Sequence, residues 1–150
     1  MGNSVTNFAL ALVVAGGSFL GLKAYNASDR GGSGGGNAPA WISHAEDLGT
    51  AIERSKAEGK PVFVVTSASW CPPCRQYKKG ALSDPSVTAF LQENAIPVYV
   101  DVDQHPDHAQ ALKVRSIPTT FVLNGDEVVE RRGGVLGSGE IRSIVLAAGG

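Results

Sequence analysis

The sequence predicts an α/β fold, a mixed central sheet with helices on both faces, preceded by one N-terminal membrane-spanning helix. Three observations lead to this expectation. Residues 43–148 read in the order helix, strand, helix, strand, helix, hairpin, helix. A helical crossover between the first two strands implies a parallel pair, and the hairpin adds antiparallel strands. The run Pro61-Val62-Phe63-Val64-Val65-Thr66 is continuously β-branched or aromatic, as in a strand buried on both faces. The 13 basic and 14 acidic residues all lie at or after Lys23, which separates an uncharged apolar head from a domain with a charged surface.

Residues 1–25 form the expected anchor. Its uncharged stretch 5–22 approaches the roughly 20 apolar residues that cross a bilayer at about 1.5 Å each. A cleavable signal peptide is the rival reading, opposed by an n-region without Lys or Arg and by the lack of an A-x-A site after the apolar run. Lys23 and Arg30 follow the span, so charge alone leans toward a cytoplasmic domain. Gly17 and Gly21 make a GxxxG spacing, Met1-Gly2 with Thr6 fits a myristoylation pattern, and Asn26-Ala27-Ser28 is a sequon; all three are signals of low specificity. Residues 26–38 are glycine-rich without apolar periodicity and read as a flexible linker with a reach of roughly 20 Å. The soluble domain is residues 39–150.

Within it, residues 43–58 place Ala45, Leu48, Ala51 and Ile52 on one helical face, with Gly59 as the stop. After the 61–66 strand, a helix begins near Cys71, continues past Tyr77 and breaks at Gly80. Asp84-Pro85 opens a further helical stretch through Val87, Phe90 and Leu91. Residues 97–102 are the second strand and 107–113 a short helix. Residues 119–123 and 127–131 flank Asn124-Gly125, read as the two central residues of a tight turn with φ > 0. Ile141, Ile144 and Val145 give the last helix, 138–148, its apolar face.

A formal charge of −1 gives no electrostatic basis for binding nucleic acid. Two cysteines exclude a disulfide scaffold, and with three scattered histidines they argue against a zinc finger. The cysteines stand in Trp70-Cys71-Pro72-Pro73-Cys74, at the expected start of a helix. Three residues apart they face the same way, with Cβ atoms about 5–6 Å apart in a regular helix. A small adjustment of the first turn brings them within the roughly 3.5–4.5 Å of a disulfide, so the pair can close and open. Cys71 would meet the unpaired N–H groups and dipole of the helix start, which favour a thiolate, and so reads as the attacking thiol. Cys74, one turn in, reads as the more buried, resolving thiol. Pro72 and Pro73 suit the first turn, where their missing N–H groups cost nothing. The plainer alternatives are a structural disulfide, two core cysteines or half of a metal site. A four-residue ring constrains little unfolded chain, and a closed zinc site needs further ligands.

Residues 41–150 resemble the thioredoxin superfamily. The matching segments, in the family's order, are Gly59-Lys60-Pro61-Val62, Trp70-Cys71-Pro72-Pro73-Cys74, Leu82-Ser83-Asp84-Pro85, Val100-Asp101-Val102-Asp103, Ile117-Pro118-Thr119, Asn124-Gly125 and Gly134. They are most similar to the thioredoxin-like domains of membrane-linked thiol-disulfide reductases, including the C-terminal domain of the transmembrane thiol-disulfide interchange proteins. The resemblance implies a thioredoxin-like fold, a redox-active pair at Cys71 and Cys74, and a cis Ile117–Pro118 bond facing it. It also implies a substrate-binding surface of Trp70, Pro73, Ile117, Pro118 and Gly134. Two positions depart from the pattern: where many thioredoxins carry a buried Asp and a Lys near it, this chain has Val65 and Tyr99. The proton relay to the resolving thiol must use water, the substrate or another group. The absence of a His between the cysteines weakens the likeness to strong disulfide oxidants.

The expected function is therefore a membrane-anchored thiol-disulfide oxidoreductase that reduces protein disulfides. Its redox domain is expected to be extracytoplasmic (periplasmic), with the cytoplasmic face as the alternative. Its partners are protein disulfide substrates, an upstream dithiol electron donor and the membrane; no cofactor or metal is called for. Rival functions are an oxidase or isomerase of secreted proteins and a carrier of copper or another thiophilic metal on the two sulfurs. Residues 101–108, Asp-Val-Asp-Gln-His-Pro-Asp-His, offer metal-ligand types but lack the Gly and Glu of a calcium loop, and read as a solvated strand-to-helix turn. His44 reads as an exposed or capping residue of the first helix.

Overall fold

A computed structural model describes residues 39–43 and 47–150. The expected anchor and linker, with His44 and Ala45, lie outside the described residues. Among those described, no helix is long and apolar enough to cross a membrane. The elements are α1 (Ala40–Ser43), α2 (Leu48–Glu58), β1 (Val62–Ser67), α3 (Pro72–Lys79), a 3₁₀ turn (Ala81–Ser83), α4 (Pro85–Asn94), β2 (Ile96–Asp101), α5 (Pro106–Ala111), β3 (Thr119–Asn124), β4 (Glu127–Gly133) and α6 (Ser138–Ala148). The four strands form one mixed sheet in the order β2-β1-β3-β4. Strand β1 is parallel to β2, and β3 is antiparallel to both of its neighbours.

All six residues of β1 are buried, and their alternation supplies two cores. Phe63 and Val65 join Tyr77 of α3, Leu91 of α4 and Ile141 and Val145 of α6 on one face. Val62 and Val64 join Leu48 and Ala51 of α2 and Val98 and Val100 of β2 on the other. Each such side chain taken out of water contributes about 1.5–3 kcal/mol, so the continuous apolar run of β1 holds both layers together. The flanking strand β2 is buried only at alternate residues, and β4 is almost wholly exposed, as suits the two edges.

Two sequence expectations are corrected. The first helix does not run unbroken from 43 to 58, because Asp47 is extended (φ −62°, ψ 142°) and caps α2. Its Oδ2 accepts hydrogen bonds from the N–H groups of Gly49 at 2.9 Å and Thr50 at 3.3 Å. Ser55 completes the buried face with Leu48 and Ala51, while Ile52 is half-buried. The hairpin turn falls one residue later than Asn124-Gly125. Asn124 stays in the ladder opposite Glu127, which leaves Gly125 and Asp126 as the loop. Of that pair only Gly125 has a positive φ, 59°. Tertiary contacts fix this register: Asn124 Nδ2 donates to the Ala148 carbonyl at 3.0 Å, and the Gly125 N–H donates to Ser55 Oγ at 3.0 Å. The left-handed Gly59 that ends α2, the Asp84-Pro85 start of α4 and the bounds of α6 agree with the sequence reading.

Candidate active site

Strand β1 delivers the chain through Ala68, Ser69 and Trp70 to Cys71, which is the N-cap of α3 with extended backbone (φ −90°, ψ 107°). Pro72 and Pro73 occupy the first helical positions, so two of the unpaired N–H groups of a helix start do not exist here. The next N–H, on Cys74, donates to Cys71 Sγ at 3.3 Å. A sulfur thus holds the place usually taken by a Ser or Asp oxygen, and the same donor and helix dipole stabilise a thiolate once the bond is reduced. Cys71 and Cys74 are joined in a disulfide, with Cα atoms 5.3 Å apart. They are 2% and 1% exposed, so in this oxidised form the expected contrast in burial is absent.

The loop before β3 makes the opposite wall. The Ile117–Pro118 bond is cis, and the Ile117 carbonyl oxygen lies 3.9 Å from Cys71 Sγ. Ile117 packs with Ala68 and Val102 around the two cysteines. The carbonyl of the buried Pro118 accepts the Gly134 N–H at 2.8 Å. Gly134 has φ 90°, a backbone region that residues with a Cβ rarely enter. Trp70 is 64% exposed and Pro73 is also on the surface, so the five residues expected to bind substrate gather around the disulfide.

The sequence reading missed two supports of this site. The Trp70 indole N–H donates to Asp103 Oδ2 at 2.8 Å, which fixes the ring beside Cys71. Thr66, wholly buried on β1, donates through Oγ1 to the Thr119 carbonyl at 2.9 Å and accepts from the Thr119 N–H at 3.2 Å. The residue after Pro118 is thereby clamped to the strand that leads to Cys71. Neither contact has a local sequence signal, since the partners are 33 and 53 residues apart.

Val65 and Tyr99, which stand where many thioredoxins have a buried Asp and a nearby Lys, are paired across β1 and β2. Val65 also pairs with Thr120 of β3. Thr120 Oγ1 is hydrogen-bonded to the hydroxyl of Tyr77, one turn beyond Cys74, at 3.1 Å. Burial pushes the Tyr77 phenol up to about 12, the Thr120 hydrogen bond opposing this in part, so it is a neutral hydroxyl at ordinary pH. Around Val65 this polar pair is uncharged.

A disulfide at a helix start, faced by a backbone carbonyl on a clamped proline loop, defines a site for dithiol-disulfide exchange. Comparison with known proteins agrees. Residues 40–125 match the family model described as thioredoxin-like. The chain is 34% identical over 91 residues to thioredoxin 1 of Chlorobaculum tepidum, which covers 59% of this chain and 84% of that protein. It is 31% identical over 97 residues to the thiol:disulfide interchange protein DsbD of Klebsiella pneumoniae, 61% of this chain but 16% of that protein. Its fold is similar to the crystal structure of thioredoxin NaTrxh from Nicotiana alata, with a TM-score of 0.59 and 26% identity over 77% of this chain and 98% of that one. The chain belongs to the thioredoxin-like family and is a thiol-disulfide oxidoreductase with its CxxC pair at Cys71 and Cys74.

Proposed function

We propose that this chain is a membrane-anchored reductase of protein disulfides whose redox domain works outside the cytoplasm. The observation that bears most on it is the seat of Cys71: at the N-cap of α3, its sulfur faces the Cys74 N–H at 3.3 Å and the Ile117 carbonyl at 3.9 Å. The reduced Cys71 thiolate attacks one sulfur of a substrate disulfide, forming a mixed disulfide and releasing the other sulfur as a thiolate that takes a proton from solvent. Cys74 then gives its proton to solvent, and its thiolate attacks Cys71 Sγ, expelling the second substrate sulfur as a thiolate that solvent protonates and leaving the closed pair of this structure. The substrate gains two electrons and the protein loses two, which an upstream dithiol donor restores. During the mixed disulfide, Trp70, Pro73 and Gly134 supply surface, and the Ile117 backbone is the edge along which an extended peptide pairs.

The anchor is inferred from the uncharged stretch 5–22, and the reducing direction and the location from that anchor together with the resemblance to membrane-linked thiol-disulfide reductases. Reduction of insulin by the full chain with a small dithiol tests the chemistry. Cys71→Ser keeps a good helix cap and so keeps the fold, but should lower the rate by at least about a hundredfold. Cys74→Ser should instead accumulate a mixed disulfide, visible by mass spectrometry. A reduction potential near the roughly −270 mV of thioredoxins supports the reducing direction, and one near −120 mV makes the protein an oxidase. An unaltered rate in Cys71→Ser removes the proposal.

A further inference from the structure

Away from the disulfide, the start of α5 and the start of α2 meet and place two imidazoles and two carboxylates together. Asp47 divides its oxygens: Oδ2 caps α2, while Oδ1 lies 3.5 Å from His108 Nε2. Asp107 Oδ2 lies 3.6 Å from the same nitrogen. The His105 ring stacks on that of His108, with centroids 5.3 Å apart and planes at 12°. His105, Asp107 and His108 each offer a ligand atom, all within 4.8 Å of one another. Asp47, His105 and His108 line a cleft of about 180 Å³ together with Leu48, Val98 and Val100.

The sequence alone reads residues 101–108 as a solvated turn, and for its first acidic residues the structure agrees. Asp101 Oδ1 accepts from the N–H groups of Asp103 and Gln104, and Asp103 Oδ2 holds Trp70. What the sequence could not supply is Asp47, brought in from another helix. A tetrahedral ion with bonds of about 2.0–2.2 Å to nitrogen and oxygen sets its ligand atoms roughly 3.4 Å apart. The two carboxylate oxygens already stand close to that distance from His108 Nε2. The wider 4.8 Å span closes by rotation of His105 and Asp107, both of which are exposed.

We propose that Asp47, His105, Asp107 and His108 form a second site, separate from the cysteines, for a borderline divalent cation, with Zn²⁺ as its type. Two imidazoles and two carboxylates suit Zn²⁺ better than a hard ion such as Ca²⁺, which takes six or more oxygens. Bound there, the ion ties the capping residue of α2 to α5 and stabilises the domain by mass action.

The test uses the full chain without an affinity tag, solubilised and kept oxidised so that the disulfide removes both sulfurs as ligands. Calorimetric titration with ZnCl₂ should give one ion per chain, and Co²⁺ in its place should give the visible absorption of a four-coordinate centre. His108→Ala should weaken Zn²⁺ binding at least about tenfold. Asp47→Asn keeps an oxygen for the helix cap while removing the anionic ligand, so it should weaken binding without unfolding α2. Zinc should raise the melting temperature of the parent chain and not that of His108→Ala. Absence of zinc binding leaves the approach of His108 to its two carboxylates as a contact within the fold alone and overturns the proposal, as does binding as strong as the parent's in both variants.

Discussion

Tyr77 ties the stability of the core to pH through a single hydroxyl. It is wholly buried on α3, where its hydroxyl is hydrogen-bonded to Thr120 Oγ1. In an unfolded chain tyrosine ionises near pH 10, whereas here burial holds the proton to about 12. Between those values the unfolded state releases a proton that the folded state keeps, so stability falls as pH rises. The contribution is intact below about pH 10 and lost by about pH 12; at roughly 1.4 kcal/mol per unit it amounts to about 2–3 kcal/mol. Tyr77→Phe should flatten this alkaline decline in urea unfolding measured at pH 9 and pH 11. At neutral pH the same variant should lose about 1 kcal/mol, because the Thr120 hydroxyl gives up its partner. An alkaline slope that persists in Tyr77→Phe assigns the decline to other groups.

At the scale of elements, the Pro118 loop is held by its neighbours. Thr66 of β1 grips the backbone of Thr119 in both directions, and Gly134 after β4 binds the Pro118 carbonyl. Thr66→Val keeps the shape and the strand preference of the side chain but removes both hydrogen bonds. The expected loss is about 1–3 kcal/mol in denaturant unfolding, since buried backbone groups lose a partner. Insulin reduction should slow as the wall facing Cys71 loosens; an unchanged rate at full folding means that the clamp serves stability alone. The same contrast marks what could be read beforehand. The β1 run, the Cys71 cap with its two prolines and the last helix rest on neighbours in sequence, and were legible. The cis proline was legible only through the family's Ile117-Pro118-Thr119 motif. The Thr66 clamp, the Trp70–Asp103 bond and the one-residue shift of the hairpin depend on segments that meet only after folding. The break at Asp47 was hidden for a related reason: the helical spacing of Ala45, Leu48, Ala51 and Ile52 favours one continuous helix, while the Asp47 carboxylate instead satisfies N–H groups of the next turn.

For the whole molecule, the decisive asymmetry is that every charged side chain lies at or after Lys23. The described domain builds its two larger cores, one on each face of the sheet, from its own residues. The proposed anchor therefore predicts separable behaviours. The full chain should stay in the membrane fraction through washes in high salt and alkaline carbonate, because apolar insertion is not screened by ions. Residues 39–150 alone should remain in solution and reduce insulin at about the full-chain rate, since the exchange site is complete within them. Toward a disulfide held on the same membrane the outcome should differ. If the proposed anchor holds, the expected glycine-rich linker, with a reach of roughly 20 Å, would keep the domain at high effective concentration near the surface. Removing residues 1–25 should then slow reduction of a membrane-bound substrate at least about tenfold while sparing the soluble one. Release of the full chain by carbonate, or equal rates on the membrane-bound substrate with and without the head, makes residues 1–25 something other than an anchor and leaves the exchange chemistry at Cys71 untouched.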